Sequence, residues 1–195
     1  MTLNNILNKI KKHLDEKDSR REEVFKLSRE IRRVSTKAIR AIHKEDFQEA
    51  KALLDQARAQ VFLINGEDKK FNFLVDSLQE YCEAVLTYAF IKKEKLLKPQ
   101  ELNVSPEAYV LGLSDSIGEL RRFILDSMRK DDFSEVEYFL DLMDEIYHEI
   151  AAFDYPTAVI PIKRKQDIAR SILEKTRGEV TLALKQAELK KLSER

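Results

Sequence analysis

The chain has 195 residues, 35 acidic and 35 basic side chains, one cysteine, four glycines, four prolines and no tryptophan. A single cysteine excludes an internal disulfide framework and a cysteine-rich metal site, and no run approaches the ~20 apolar residues of a membrane span. With 36% charged residues and so little Gly and Pro, the expected fold is all-α, one domain of long helices around a true core.

The first apolar run is interrupted by Lys9, Lys11 and Lys12, so no signal peptide is expected and the chain reads as soluble and cytoplasmic. Residues 2–44 contain neither Gly nor Pro. Leu3, Ile6, Leu7, Ile10 and Leu14 form one apolar stripe, and Val24, Leu27, Ile31, Val34, Ala38 and Ile42 continue it, which predicts one very long helix or two joined near 15–19. Lys26, Arg29, Arg33, Lys37, Arg40 and Lys44 recur on another face as a cationic ridge. Such a line suits a phosphate backbone, and it equally describes a solvated face; without interleaved aromatics, stacking on single-stranded bases is not indicated.

A second helix is predicted from Asp46 to about Ile64, stopped by Asn65-Gly66, and a third from about Glu67 to Leu97. Ser105-Pro106-Glu107 combines an N-cap, a proline at the first helical position and an early acid, and opens a fourth helix running to about Arg129. Gly112 and Gly118 inside it point to something close to the backbone. Ser134-Glu-Val-Glu137 reads as a capping box for a fifth helix, and a last one runs from about Lys163 after the Pro156 and Pro161 loop. Net charge is +7 over residues 1–44, −2 over 45–66, −10 over 67–160 and +5 over 161–195, which suits a polyanion at one surface and cations at another as well as ordinary pairing between helices.

The acidic middle contains the most informative spacing. Asp76, Glu80 and Glu83 stack on one face of the third helix, and Asp115 and Glu119 on one face of the fourth. Like charges one turn apart repel, so they need counter-charge. Glu80, Glu83, Asp115 and Glu119 offer hard oxygen ligands that match Mg²⁺ or Mn²⁺ and metal-assisted phosphodiester hydrolysis; from spacing alone they also match ordinary helix surfaces. Glu145-x-x-His148 imitates half of a di-iron motif whose second half is missing. Cys82 lies between acids, which disfavours its thiolate, and Tyr81, Tyr88 and Tyr109 read as core or interface.

Three stretches carry a family likeness: Arg21-Glu-Glu-Val-Phe-Lys-Leu-Ser-Arg29, Leu78-Gln-Glu-Tyr-Cys-Glu-Ala-Val85 and residues 104–121, from Val104-Ser-Pro-Glu to Gly118-Glu-Leu-Arg121, with Thr176-Arg-Gly178 similar as well. Over roughly residues 18–185 the chain resembles the translin family, and within it the catalytic subunits of the translin-associated factor X type. The resemblance implies a right-handed bundle of about six or seven helices assembling into a hollow, octamer-like barrel. It implies a Mg²⁺-dependent endoribonuclease acting on short or single-stranded RNA, alone or with a translin-like partner, with single-stranded DNA as another ligand. Its acidic site residues match Glu80, Glu83, Asp115 and Glu119. The implied nucleic-acid contacts are the ridge from Lys26 to Arg40 together with Lys69 and Lys70. Translin's histidine-containing basic patch is here Lys69-Lys70-Phe71-Asn72, which argues against translin-like sequence-selective DNA binding. The alternative is a non-catalytic RNA- or DNA-binding oligomer whose acids are structural.

Overall fold

The computed structural model describes residues 2–66 and 68–193; of Lys69 only the backbone is described. Among these residues there are six α-helices, one 3₁₀ turn and no strand: α1 (Leu3–His43), α2 (Phe47–Val61), the turn Asp68–Lys70, α3 (Leu74–Lys92), α4 (Pro106–Arg129), α5 (Val136–Ala151) and α6 (Ile162–Ser193). No helix among them is long and apolar enough to cross a membrane.

With no Gly or Pro to break it, α1 is a single helix of 41 residues. Burial starts only at Val24 and continues through Ser28, Ile31, Val34, Ser35, Ala38, Ala41 and Ile42, a stripe at threes and fours. The preceding stripe, Leu3 to Leu14, remains exposed, with Leu3 at 72% and Leu7 at 53%. The helix up to residue 19 therefore extends free of this chain's core, over about 25 Å at 1.5 Å per residue.

Asp46 caps α2 by accepting the Glu49 amide at 3.0 Å, and Ala50, Leu54, Ala57 and Val61 turn inward. The link to α3 is tied down by a buried charge. Asp68 takes Arg20 Nε and Nη2 at 3.0 and 2.5 Å and the Asn65 amide at 2.9 Å, while Phe71, Phe73 and Phe25 stack in sequence beside it.

Helix α3 is shorter than the sequence suggests. It begins at Leu74, because the 3₁₀ turn occupies residues 68–70, and it ends where Lys93 adopts φ 54°, a left-handed stop. Pro99 comes only after the helix has already stopped. The following loop is held by Asn103 Nδ2, which donates to the Val61 and Ile64 carbonyls at 3.0 and 3.3 Å.

The expected start of α4 is present: the Ser105 hydroxyl accepts the Ala108 amide at 3.2 Å and Pro106 follows. The capping box expected for α5 is not. The Ser134 hydroxyl donates to Asp132 at 2.7 Å, and the helix begins at Val136. Helices α3 and α4 form the most extensive packing in the chain, with α1 and α2 against one side and α5 and α6 against the other. Tyr81, Leu86, Ile117, Leu120, Phe139 and Met143 are fully buried between them, each burial contributing ~1.5–3 kcal/mol.

Candidate functional site

Helix α3 is apolar on nearly all sides; the exceptions among its middle turns are Gln79, Glu80 and Glu83, which face α4 and α1. The approach to α4 is set by Gly112. A Cβ there would lie 2.6 Å from the Gln79 carbonyl oxygen and from Cys82 Cβ, and 2.9 Å from the Glu83 amide nitrogen. Glycine at 112 thus lets the two backbones touch one turn before Asp115. Gly118 has open space around it and plays no such part.

The result is a cavity of about 600 Å³ lined by Glu80 and Glu83 from α3, Asp115 and Glu119 from α4, Arg40 from α1, Arg122 from α4 and Lys165 from α6. All four acids singled out from the sequence are therefore brought together. Asp76 is exposed on the same helix and does not line the cavity.

Each of three acids is met by its own basic side chain. Arg32 Nε donates to Glu80 at 2.7 Å. His43 Nε2 contacts Glu119, with its ring 3% exposed and its Nδ1 buried without a partner. Lys165 Nζ donates to both oxygens of Asp115, at 2.6 and 2.8 Å, and Gln79 Nε2 adds a third bond at 2.5 Å. Glu83 has no such cation. Burial, reinforced by the charges of Asp115, Glu119 and Glu80, pushes its carboxyl up to about 8, against a smaller opposing pull from Lys165.

As a donor set, four carboxylates on two touching helices fit a hard divalent cation such as Mg²⁺ or Mn²⁺, and Glu83 is the oxygen pair most in need of one. Among the described residues no three His, Cys, Asp or Glu side chains already converge on one ion position. Arg32 and Lys165 supply counter-charge instead, and His43 a ring-nitrogen contact.

The cationic ridge on α1 is solvent-facing throughout. Lys26, Arg29 and Arg40 make no ion pair among the described residues, whereas Arg33 is tied to Glu30. Arg40, at the end of the ridge, reaches the acid cavity. Lys70 is exposed, and the Lys69 side chain lies outside the described residues. Glu145 and His148 are on the wet face of α5, where Asp144 pairs with Arg177 at 2.8 Å. Cys82 is buried against Gly112, and burial pushes its thiol up to about 12.

Arg32, His43, Arg122 and Lys165 were not legible as site residues. For α1 a signal existed: Arg32, Arg40 and His43 fall at i, i+8 and i+11, on one helical face beside the ridge. Nothing local marks Lys165, one of three consecutive basic residues, Lys163-Arg164-Lys165.

The translin family model matches residues 19–177, four-fifths of the chain. The chain belongs to the translin family. All four acids, together with Arg32, His43 and Lys165, lie inside the matched span, and the exposed tip of α1 lies before it. An uncharacterised protein of Methanocaldococcus jannaschii is 38% identical, covering 94% of this chain and 85% of its own length. Translin-associated protein X of Pongo abelii is 28% identical over 65% of this chain, which spans 61% of that relative. Among solved structures, that of AfC3PO aligns at 32% identity with a TM-score of 0.84, covering 94% of this chain and 98% of that one, and AfC3PO has also been solved with duplex RNA. Apo-NeC3PO, at 20% identity and a TM-score of 0.82, shares the fold.

Proposed function

We propose that this translin-family chain binds RNA as a homo-oligomer and cleaves it as a metal-dependent endoribonuclease of the translin-associated factor X type. The observation that carries the reading is the convergence of four carboxylates from two helices in one cavity that also presents Arg40, Arg122 and Lys165. The likeness to AfC3PO, a protein solved with duplex RNA, supports the substrate class.

Glu80, Glu83, Asp115 and Glu119 are the residues that would hold one or two Mg²⁺ or Mn²⁺ ions. Such an ion supplies Lewis-acid polarisation of a phosphoryl oxygen and a more acidic water. The unpaired Arg40 and the half-free Arg122, 3.9 Å from Asp126, are placed to hold phosphates on either side of the scissile one. The ridge from Lys26 to Arg40 offers point charges along one line that ends at the acids, so a strand following it is delivered to the cavity. Hydrolysis needs a proton acceptor as the water oxygen attacks phosphorus and the bond to the leaving oxygen breaks. One of the four carboxylates takes that proton.

A second reading is favoured by one specific observation. Arg32, His43 and Lys165 each satisfy an acid, as a purely structural network would, in a non-catalytic RNA- or single-stranded-DNA-binding oligomer. A short single-stranded RNA incubated with the protein and resolved on a denaturing gel separates the two. Cleavage that requires Mg²⁺, stops with EDTA and is lost in Asp115→Ala establishes the nuclease. RNA retained but uncut in every lane leaves the binding protein. Repeating the assay with an added translin-type subunit tests whether a partner is required.

A further inference from the structure

The three basic side chains that meet the acids do not hold them alike. Arg32 engages one oxygen of Glu80, through Nε, and His43 engages one oxygen of Glu119. Lys165 engages both oxygens of Asp115, one of which also takes Gln79. Asp115 is therefore the acid whose two oxygens are both already occupied by a full positive charge. A divalent cation that uses Asp115 must compete with the ammonium for the same carboxylate charge and lone pairs.

Lys165 is built to give way in that competition. Its ammonium is a compact, strongly hydrated charge on a flexible four-carbon stem, unlike the planar fork of Arg32. The root of that stem is held in place: the adjacent Gln166 side chain donates to the Ile150 and Phe153 carbonyls, at 2.8 Å each, and fixes the first turn of α6 against the end of α5. Ile162, the first residue of α6 and four before Gln166, is fully buried and packs with Ile160 and Leu111. The ammonium can swing while its Cα stays where it is. The side chain is 27% exposed, so solvent is available to it on release.

We propose that Lys165 is a resident stand-in for the divalent cation: it neutralises Asp115 in the metal-free protein, is displaced when the metal binds, and thereby sets the metal affinity of the cavity. The inference rests on the metal reading given above and adds the residue that competes with the metal. Without Lys165, four carboxylates share the cavity with one less counter-charge, which weakens the metal-free fold and strengthens the attraction for a divalent ion. Released, the ammonium stays within the cavity and adds positive charge beside the RNA phosphate.

The test is calorimetric titration with MnCl₂ and thermal unfolding with and without saturating Mn²⁺, on the full chain, for wild type, Lys165→Met, Lys165→Gln and Asp115→Asn. The expected result is Mn²⁺ affinity raised about tenfold in both Lys165 variants, on the scale by which groups around a metal site tune it. Their metal-free Tm is lower than that of wild type, and saturating Mn²⁺ abolishes the difference, because Lys165 no longer holds Asp115 in the metal-bound state. Lys165→Gln keeps a hydrogen-bond donor and guards against misfolding of the Met variant. Wild-type or weaker Mn²⁺ affinity in both variants, or a Tm deficit that persists undiminished with Mn²⁺, overturns the proposal and leaves Lys165 a structural partner of Asp115. If wild type binds Mn²⁺ and Asp115→Asn does not, the metal reading survives that failure. If no variant binds Mn²⁺, both readings fall together.

Discussion

Gly112 lies against Glu83: a Cβ on the first would sit 2.9 Å from the amide nitrogen of the second, and 2.6 Å from the carbonyl oxygen of Gln79. Both of these are backbone, and the third obstacle, Cys82 Cβ at 2.6 Å, is fixed to the backbone, so none can rotate away. Gly112→Ala must push α4 off α3, at a cost of ~1–3 kcal/mol. The displaced helix would move Asp115 and Glu119 away from Glu83. Urea unfolding should report the loss of stability, and RNA cleavage should fall by more than the unfolded fraction accounts for. Gly118→Ala, with open space around the site, is the control: it should leave cleavage unchanged and stabilise slightly, since alanine favours a helix interior.

The carboxyl of Glu83, pushed from 4.5 up to about 8, makes stability depend on pH. Between those values the folded chain keeps a proton that the unfolded chain has released, so the unfolding free energy falls as pH rises across the window. Chemical denaturation without metal at pH 5, 6, 7 and 8 should show that decline, and Glu83→Gln should flatten it. Divalent cations need the ionised carboxyl, so apparent Mn²⁺ affinity should climb over the same range. A stability that rises from pH 5 to 8 in the metal-free protein would contradict the assignment.

Along α1, Arg29 is unpaired and Arg33 is held by Glu30, which predicts unequal roles in RNA binding. Arg29→Ala should lower the slope of log affinity against log salt by about 1, the signature of one lost phosphate contact. Arg33→Ala should do less. Fluorescence anisotropy of a labelled short RNA over a KCl series distinguishes them, and equal slopes in all three proteins would show that the ridge does not follow the backbone.

The Asp68 carboxylate, 3% exposed, joins Arg20 on α1 to the Asn65 turn. Asp68→Ala strands the Asn65 amide and frees a guanidinium that is 36% exposed and can rehydrate, so the cost should be ~1–3 kcal/mol in urea unfolding. The Arg20 bond holds this carboxyl below the ordinary aspartate range. The stability it confers is present above that range and lost as pH falls through the lowered value. Asp68→Ala should therefore lose its disadvantage in strong acid.

The stripe Leu3, Ile6, Leu7, Ile10 and Leu14 is exposed on this chain, and its expected use is contact between subunits. Leu7→Asp with Ile10→Asp should leave helicity and Tm of the subunit nearly unchanged while lowering the mass seen by light scattering. An unchanged mass would remove this stripe from the oligomer interface.

The fold was largely legible because its signals are local: the Ser105-Pro106 start, the start of α2 at Asp46 and the three-and-four spacing from Val24 to Ile42 all depend on near neighbours. The errors arose where a local choice leaves no mark in residue type or spacing. Lys93 stops α3 through a backbone conformation that no composition marks, and Ser134 spends its hydroxyl on Asp132 instead of on a helix amide. The site divided in the same way. Glu80 with Glu83, and Asp115 with Glu119, are visible as spacings within one helix. Their basic partners arrive from α1 and α6, at separations of 48, 76 and 50 residues, where periodicity carries no information.

Because α1 is one unbroken helix, Leu14 and Arg32 belong to a single stiff rod, about 27 Å apart along its axis. A helix with no proline or glycine in its shaft has no hinge at which a displacement could be absorbed. Whatever grips the free end therefore has leverage on Arg32, Arg40 and His43 at the acids. A contact at the tip and the geometry of the acid cavity are mechanically linked in this architecture, and a chain held differently at its tip would present a differently shaped cavity.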